Sequence, residues 1–291
     1  MMPGHARPLT LMIGRYPHTE ALHSGGINVD ALDLQIAKVA NPSECFRDVI
    51  ALKYDCAELP VPTFLMAREA GLPLSALPAD LFCRKTPPAV YYKATHGRMT
   101  PRDLNGKRLG VNYFSAATSI WAQCLLANAA VDLDSLRWVA TSPPLVTGFA
   151  DPPSVEHRPG AALDALLTDD EVEAIVSVNP PRQPGISTLS LEPDSSGYLP
   201  LPADFRSHHL LVVRTSVLQA DPGAARTLWR LLLSARAETN LPDGENPYGV
   251  EGNRGHIKTA LTACRQLGFI TKSPTVDGLF SDFQQAFAQP A

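Results

Sequence analysis

Four short segments carry side chains that could do chemistry. The first is Gly14-Arg15-Tyr16-Pro17-His18-Thr19, which follows an apolar run and opens a helix. A helix start at that position offers backbone N–H groups and the positive end of a dipole, both of which favour an anion. His18 adds a proton donor or a cation. The second segment, Val111–Trp121, repeats this physics, with hydroxyls at Ser115, Thr118 and Ser119. Its rings, Tyr113 and Phe114, could stack on an aromatic ligand. Two such helix starts facing each other across a cleft suit a dicarboxylate or a carboxylated ring. In the third segment, Asp55–Thr63, a strand runs into a Pro-rich turn bearing Glu58. In a closed cleft Glu58 could accept a hydrogen bond from a phenol or act as an acid or base. The fourth is Ser207-His208-His209, just before an apolar strand. Adjacent residues of a strand point to opposite faces, so at most one of the two histidines faces a given cleft. The plain alternatives are a capped surface turn, capping hydroxyls, a solvated Glu and a structural His.

The elements that must hold these residues alternate between strand and helix. Leu9–Ile13 and Leu32–Ile36 read as strands, the second half-covered. Thr19 reads as the N-cap of a short helix ending near Gly25-Gly26, and Asn41-Pro42-Ser43-Glu44 as a helix start. A helix follows over Val61–Ala70, then strands over Leu74–Phe82, Ala89–Tyr92, Lys107–Val111 and Leu136–Ala140. Helices over Thr118–Ala130 and Ala161–Leu167, and strands over Ala174–Val178 and His209–Val213, continue the alternation. Asp221–Glu238, Asn253–Leu267 and Val276–Phe287 close the chain as helices. The pattern predicts an α/β protein with parallel sheets and helical crossovers. The Pro-rich stretch Asn179–Pro202 predicts a connection or lid rather than regular structure.

The bulk numbers narrow the class. With 291 residues the chain is long for one core and suits two lobes. A net charge of -4 calls for no strongly basic face, so nucleic acid is not an expected partner. The five cysteines show no CxxC spacing, which predicts free thiols in a reducing compartment rather than disulfides or a zinc knuckle. No apolar stretch has signal-peptide or membrane-spanning length, so a cytoplasmic location and no membrane partner are expected. The motifs of a nucleophile elbow, a zinc protease, a P-loop and a dinucleotide fold are absent. A metal held by His18, Glu58 and one of the paired histidines is the lesser alternative; no metal site and no cofactor are expected.

At this point the residues resemble those of the 4,5-dihydroxyphthalate decarboxylases and their relatives. The likeness begins with Tyr16-Pro17-His18-Thr19 and Ala21-Leu22, and continues through Glu58-Leu59 and Thr63-Phe64-Leu65. It includes Thr100–Val111, Thr118, Trp121, Trp138-Val139, Asp151-Pro152-Pro153, Val155-Glu156 and His209. It ends with Asn246–Val250, Asn253-Arg254 and Leu279-Phe280. The resemblance implies a two-lobed fold of the type II periplasmic-binding-protein kind, with a ligand cleft between α/β lobes. Residues 1–85 and 210–291 would form one lobe, and residues 86–209 the other. It further implies a cofactor-independent decarboxylase of a hydroxylated aromatic acid of phthalate or benzoate type. His18 or His209 would supply the proton, with Glu58 beside them. Arg15, Tyr16, Thr19, Thr63, Arg84, Tyr113, Phe114, Ser115, Thr118 and Ser119 would bind the small anionic aromatic or unsaturated acid. A non-catalytic acid-binding protein of the same fold is the alternative, and homo-oligomerisation is left open. Arg15, Asn112 and Phe114 depart from the family pattern, so the substrate is expected to differ from 4,5-dihydroxyphthalate.

Overall fold

A computed structural model describes residues 8–27, 32–192, 206–242 and 244–288. The chain divides into two compact units. Residues 1–83, 207–258 and 272–291 form the first, and residues 84–206 and 259–271 the second.

The first unit is built on a five-stranded sheet. Its strands are β1 (Leu9–Met12), β2 (Leu34–Ile36), β3 (Cys56–Pro60), β4 (Leu74–Arg84) and β11 (Ser207–Arg214), ordered β2-β1-β3-β11-β4. Every residue of β3 is buried, as a strand covered on both faces must be. β1 runs parallel to β2 and β3, but β11 runs antiparallel to β3, with Leu211 opposite Glu58 and His209 opposite Pro60. The expected all-parallel sheet is therefore mixed: β11 enters after a long excursion through the second unit, in the opposite direction. Asp55, just before β3, accepts hydrogen bonds from the Thr10 amide and hydroxyl, both at 2.9 Å, and so joins β1 to β3.

Helices cover this sheet. They are α1 (Glu20–Ser24), α2 (Phe46–Ile50), α3 (Val61–Glu69), and, from the C-terminal part, α6 (Thr215–Ala220), α7 (Pro222–Ala237), α9 (Val276–Leu279) and α10 (Ser281–Ala288). Pro62 in the first turn of α3 and Pro222 in that of α7 suit positions whose N–H has no helical partner. The core joins Leu11, Ile13, Leu77 and Leu211 of the sheet to Leu228 and Leu232 of α7. The single helix expected over Val276–Phe287 is two, because Phe280 leaves helical geometry with its side chain fully buried.

Pro78 lies in β4, at the edge of the sheet, where its missing N–H breaks no ladder. The segment Pro247–Gly249 covers that edge. Gly249 donates its N–H to the Pro78 carbonyl at 2.8 Å, and the Asp80 N–H donates to the Pro247 carbonyl at 3.1 Å. Asn253 sits in α8 (Val250–Gln266), fully buried, and its amide nitrogen donates to the carbonyls of Pro78, Pro247 and Gly249. Asn253→Ala is expected to lower unfolding stability by about 2 kcal/mol, read as a shift in the urea midpoint. An unchanged midpoint would show that the three bonds contribute nothing net.

The second unit holds a six-stranded sheet. β5 (Ala89–Lys93), β6 (Arg108–Val111), β7 (Arg137–Ala140), β8 (Glu156–His157), β9 (Ala174–Ser177) and β10 (Ile186–Thr188) are ordered β10-β5-β9-β6-β7-β8. β6 is parallel to β7 and β9, whereas β5 is antiparallel to both β9 and β10. β10 falls inside the stretch read as irregular; its hydrogen bonds to β5 outweigh the prolines around it. Residues 193–202 of that stretch lie outside the described residues. α4 (Ala117–Asn128) and α5 (Leu163–Thr168) belong to this unit. α5 packs so near β6 that a Cβ at Gly110 would lie 3.0 Å from Ile175 and 3.1 Å from Leu163. Against the lobe boundaries expected from sequence, residues 84–85 and 259–271 fall in the second unit and residues 207–209 in the first. Phe269 anchors the 259–271 segment, its ring 5.5 Å from that of Phe114 and 5.9 Å from that of Phe149.

Candidate functional site

The chemistry of the first unit gathers on one face of its sheet. Leu211 stands opposite Glu58, so His209, two residues before Leu211, shares the face of Glu58 as its diagonal neighbour. The geometry brings His209 Nδ1 to 2.6 Å from Glu58 Oε1. Glu58 is fully buried and accepts from two further donors. The Gly14 amide donates to Oε2 at 3.0 Å, and the Tyr16 hydroxyl lies 2.8 Å and 3.0 Å from the two carboxylate oxygens. A carboxylate is an acceptor, so Nδ1 carries the hydrogen in this pair. That leaves His209 Nε2 without a protein partner among the described residues, on a side chain that is 15% exposed.

The loop 14–19 delivers Tyr16 to this carboxylate. Thr19 Oγ1 accepts the Tyr16 N–H at 2.9 Å and donates to the Gly14 carbonyl at 2.7 Å, closing the loop on itself. The Tyr16 ring folds back over Gly14, which has no side chain to obstruct it. Thr19 thus fixes the loop; it is fully buried, and its hydroxyl does not cap α1. Contrary to the expectation from sequence, the N–H groups at this helix start are not free. The Thr19 and Glu20 amides both donate to the Tyr16 carbonyl at 2.9 Å. α1 has five residues, too few for a helix-end anion site.

Aromatic rings enclose the pair. Phe82 lies 4.7 Å from His209 and 5.6 Å from Tyr16, and Phe46 stands edge-on to His209 at 5.4 Å. His18 stacks on Tyr16 at 5.9 Å and meets Tyr248 edge-on at 6.2 Å. Only 2% of His18 is exposed, and neither ring nitrogen makes a hydrogen bond of good geometry among the described residues. Burial, helped by the charge of Arg236, lowers the His18 pKa to about 4; the Leu81 backbone and Glu58 oppose this weakly. His18 is therefore neutral near pH 7.

That shift has a sign that can be measured. Unfolded, a His titrates near 6.5. Between that pH and about 4 the unfolded chain holds a proton that folded His18 does not. Its contribution is complete above pH 6.5 and is lost as the pH falls toward 4, by roughly 3 kcal/mol in all. Urea midpoints of the wild type are expected to fall more steeply from about pH 7 to about pH 4.5 than those of His18→Leu. Parallel slopes for the two proteins would remove His18 as the cause.

The remaining residues singled out in the sequence fall elsewhere. Arg15 is exposed and pairs with Glu20 at the start of α1. Thr63 is buried in α3, its hydroxyl without a partner among the described residues. Arg84 ends β4 and counts with the second unit. Tyr113, Phe114, Ser115, Thr118 and Ser119 lie together in the second unit at the start of α4. Phe114 is a core residue, not a stacking platform: its ring is buried against Trp138 at 5.5 Å and against Phe269. Ser119 is buried and donates to the Tyr113 carbonyl at 2.5 Å. Thr118 is half-buried in the first turn, and Ser115 is buried beside Asp151, whose pKa burial pushes up.

Sequence reading missed Phe46, Phe82, Asp80 and His256. Asp80 left a signal, a single charged residue inside the apolar strand Leu74–Phe82. It is fully buried and lies 2.7 Å from His208 Nδ1, on the side of β11 away from β3. Phe46 and Phe82 follow no sequence pattern that ties them to His209.

Comparison with known proteins turns up two decarboxylases. The chain is 26% identical over 193 residues to the 4,5-dihydroxyphthalate decarboxylase of Comamonas testosteroni, and 24% identical over 191 residues to that of Pseudomonas putida. These matches cover 60% and 62% of this chain. They span 56% of the length of the first relative and 72% of the second. Residues 29–153 match the family described as NMT1/THI5 like. Among solved structures, the periplasmic sulfonate-binding protein of Methylobacillus flagellatus superimposes with a TM-score of 0.54 at 11% identity. That likeness covers 97% of this chain and 94% of the other. A zinc-bound ligand-binding component of an ABC-type import system from Staphylococcus aureus gives 0.51 at 11% identity, covering 94% and 98%. The fold is that of the periplasmic binding proteins.

Proposed function

We propose that this chain is a carboxy-lyase that releases carbon dioxide from a hydroxylated aromatic acid. The observation that carries the reading is the Glu58–His209 pair, 2.6 Å apart, on a chain similar to decarboxylases over three-fifths of its length. Such a reaction needs a proton at the ring carbon that bears the carboxylate. A hydroxyl ortho or para to that carbon gives up its proton to water, which later returns it, and the oxygen's electron pair pushes into the ring. The carbon takes a proton from protonated His209 Nε2, giving a dienone that still carries the carboxylate. The bond to the carboxylate then breaks, carbon dioxide leaves, and the electron pair restores the aromatic phenol as its oxygen regains a proton. His209 is afterwards reprotonated from water. Glu58 does not meet the ring; it accepts Nδ1–H and aims Nε2, as a positioning residue. His209 serves as donor rather than His18, because His18 is buried and neutral near pH 7. Phe46 and Phe82 give the apolar walls that an aromatic ring favours.

Carbon dioxide release from a panel of hydroxylated benzoates and phthalates tests the reading. Turnover of at least one acid, lost in His209→Asn, is expected. Tight binding of an acid with no turnover would overturn it in favour of an acid-binding protein of this fold. We further infer a reducing compartment, supported by the five free cysteines, three of them buried.

A further inference from the structure

We infer that Asp80, Cys83 and His208 form a binding site for a transition-metal dication of the zinc type, separate from the Glu58–His209 pair. Each residue offers one ligand atom, and these three atoms lie within 4.8 Å of one another. Asp80 and Cys83 come from β4, and His208 from the neighbouring β11. The carboxylate and the His208 ring are both buried, and Cys83 is half-buried, so the cluster is not a chance gathering of exposed acids.

The geometry is near what a metal requires. Zinc holds thiolate sulfur at about 2.3 Å and imidazole nitrogen or carboxylate oxygen at about 2.0–2.2 Å, in a tetrahedron. The ligand atoms of such a site stand roughly 3.3–3.8 Å apart. No separation exceeds 4.8 Å, so the widest must close by about 1–1.5 Å, within reach of side-chain rotation. Asp80 and His208, hydrogen-bonded at 2.7 Å without an ion, must open by about 0.6 Å as the metal takes the place of the shared hydrogen. The mixed N, S and O donor set favours zinc, cobalt or ferrous iron, and disfavours magnesium and calcium, which prefer oxygen alone.

A second observation points to the same place. His256 of α8 stacks on His208, ring centroids 3.6 Å apart and planes 14° from parallel. Its Nε2 is buried and has no partner among the described residues. A buried polar atom left so is costly unless something meets it. His256 offers Nε2 as an acceptor for a metal-bound water, which would fill the fourth position. Its ring also holds the His208 ring flat in one orientation, as metal-binding histidines require.

The test uses the full chain, stripped with a chelator and titrated with zinc against a chromophoric competitor. One zinc per chain is expected, unaffected by excess magnesium. Cys83→Ser and His208→Asn are each expected to weaken binding at least roughly tenfold, whereas Cys45→Ser leaves it unchanged. Cobalt should show a thiolate charge-transfer band that Cys83→Ser abolishes. This readout stands even if the buried His208 variant does not fold. No stoichiometric uptake by the wild type would overturn the site, as would Cys83→Ser binding with wild-type affinity.

Discussion

His209→Asn lowers turnover of the responding acid by roughly 10² to 10⁴, the range expected when a positioned proton donor is lost. Asparagine can still donate an N–H to Glu58 from a similar position, so the buried carboxylate keeps a partner. What it lacks is a second nitrogen that carries a proton to carbon. Glu58→Gln makes the complementary case. Its amide accepts the His209 N–H with one oxygen, but its nitrogen then faces the Gly14 amide, a donor that cannot turn to accept. That mismatch loosens the histidine rather than removing it. The Gln variant should therefore lose less turnover than His209→Asn, and KM should move less than kcat in both. Equal turnover in the wild type and His209→Asn, with folding intact, would remove His209 from the chemistry.

Gly14→Ala is expected to destabilise the first unit by about 2–4 kcal/mol and to abolish most turnover. A Cβ there would lie 2.6 Å from Tyr16 Cε2 and nearer still to the end of that ring. The ring must leave, taking its hydroxyl from Glu58, and the fully buried carboxylate loses a donor. The backbone at Gly14 is not in the left-handed region, so the cost is contact with Tyr16 and not strain of the chain. A double-mutant cycle separates the two. With Tyr16→Ala in place, the alanine at position 14 has room, and its added cost should fall below about 1 kcal/mol. An unchanged cost would refute the ring contact as the cause.

The alternation of elements is legible in the sequence because each element has its own period and caps. Asn41 is an example: it reads as a helix start, and its side chain accepts the Ser43 N–H at 3.1 Å. Glu58 and His209 could be singled out, but their pairing could not. They are 151 residues apart, and only the antiparallel register of β11 on β3 makes them diagonal neighbours. The sequence cue for parallel strands also hid that register. Tyr16 was visible as a ring beside His18, but its fold-back over Gly14 depends on the hydroxyl bridge from Thr19. Phe114 misled because an aromatic after a strand looks the same whether it faces a ligand or Trp138. The Asp80 cluster has no local motif, because two strands and a helix distant in sequence must come together to make it.

The histidine doublet on β11 has a consequence for how this chain can change over time. His208 serves Asp80 and the next residue, His209, serves Glu58, so parity along the strand assigns each ring its task. Inserting or deleting a single residue between the doublet and Leu211 would exchange the two assignments at a stroke. Two such residues would restore the faces but shift each ring by a whole strand repeat. A change of length inside β11 after His209 therefore disturbs both sites at once, whereas one beyond Arg214 leaves the parity of the doublet intact.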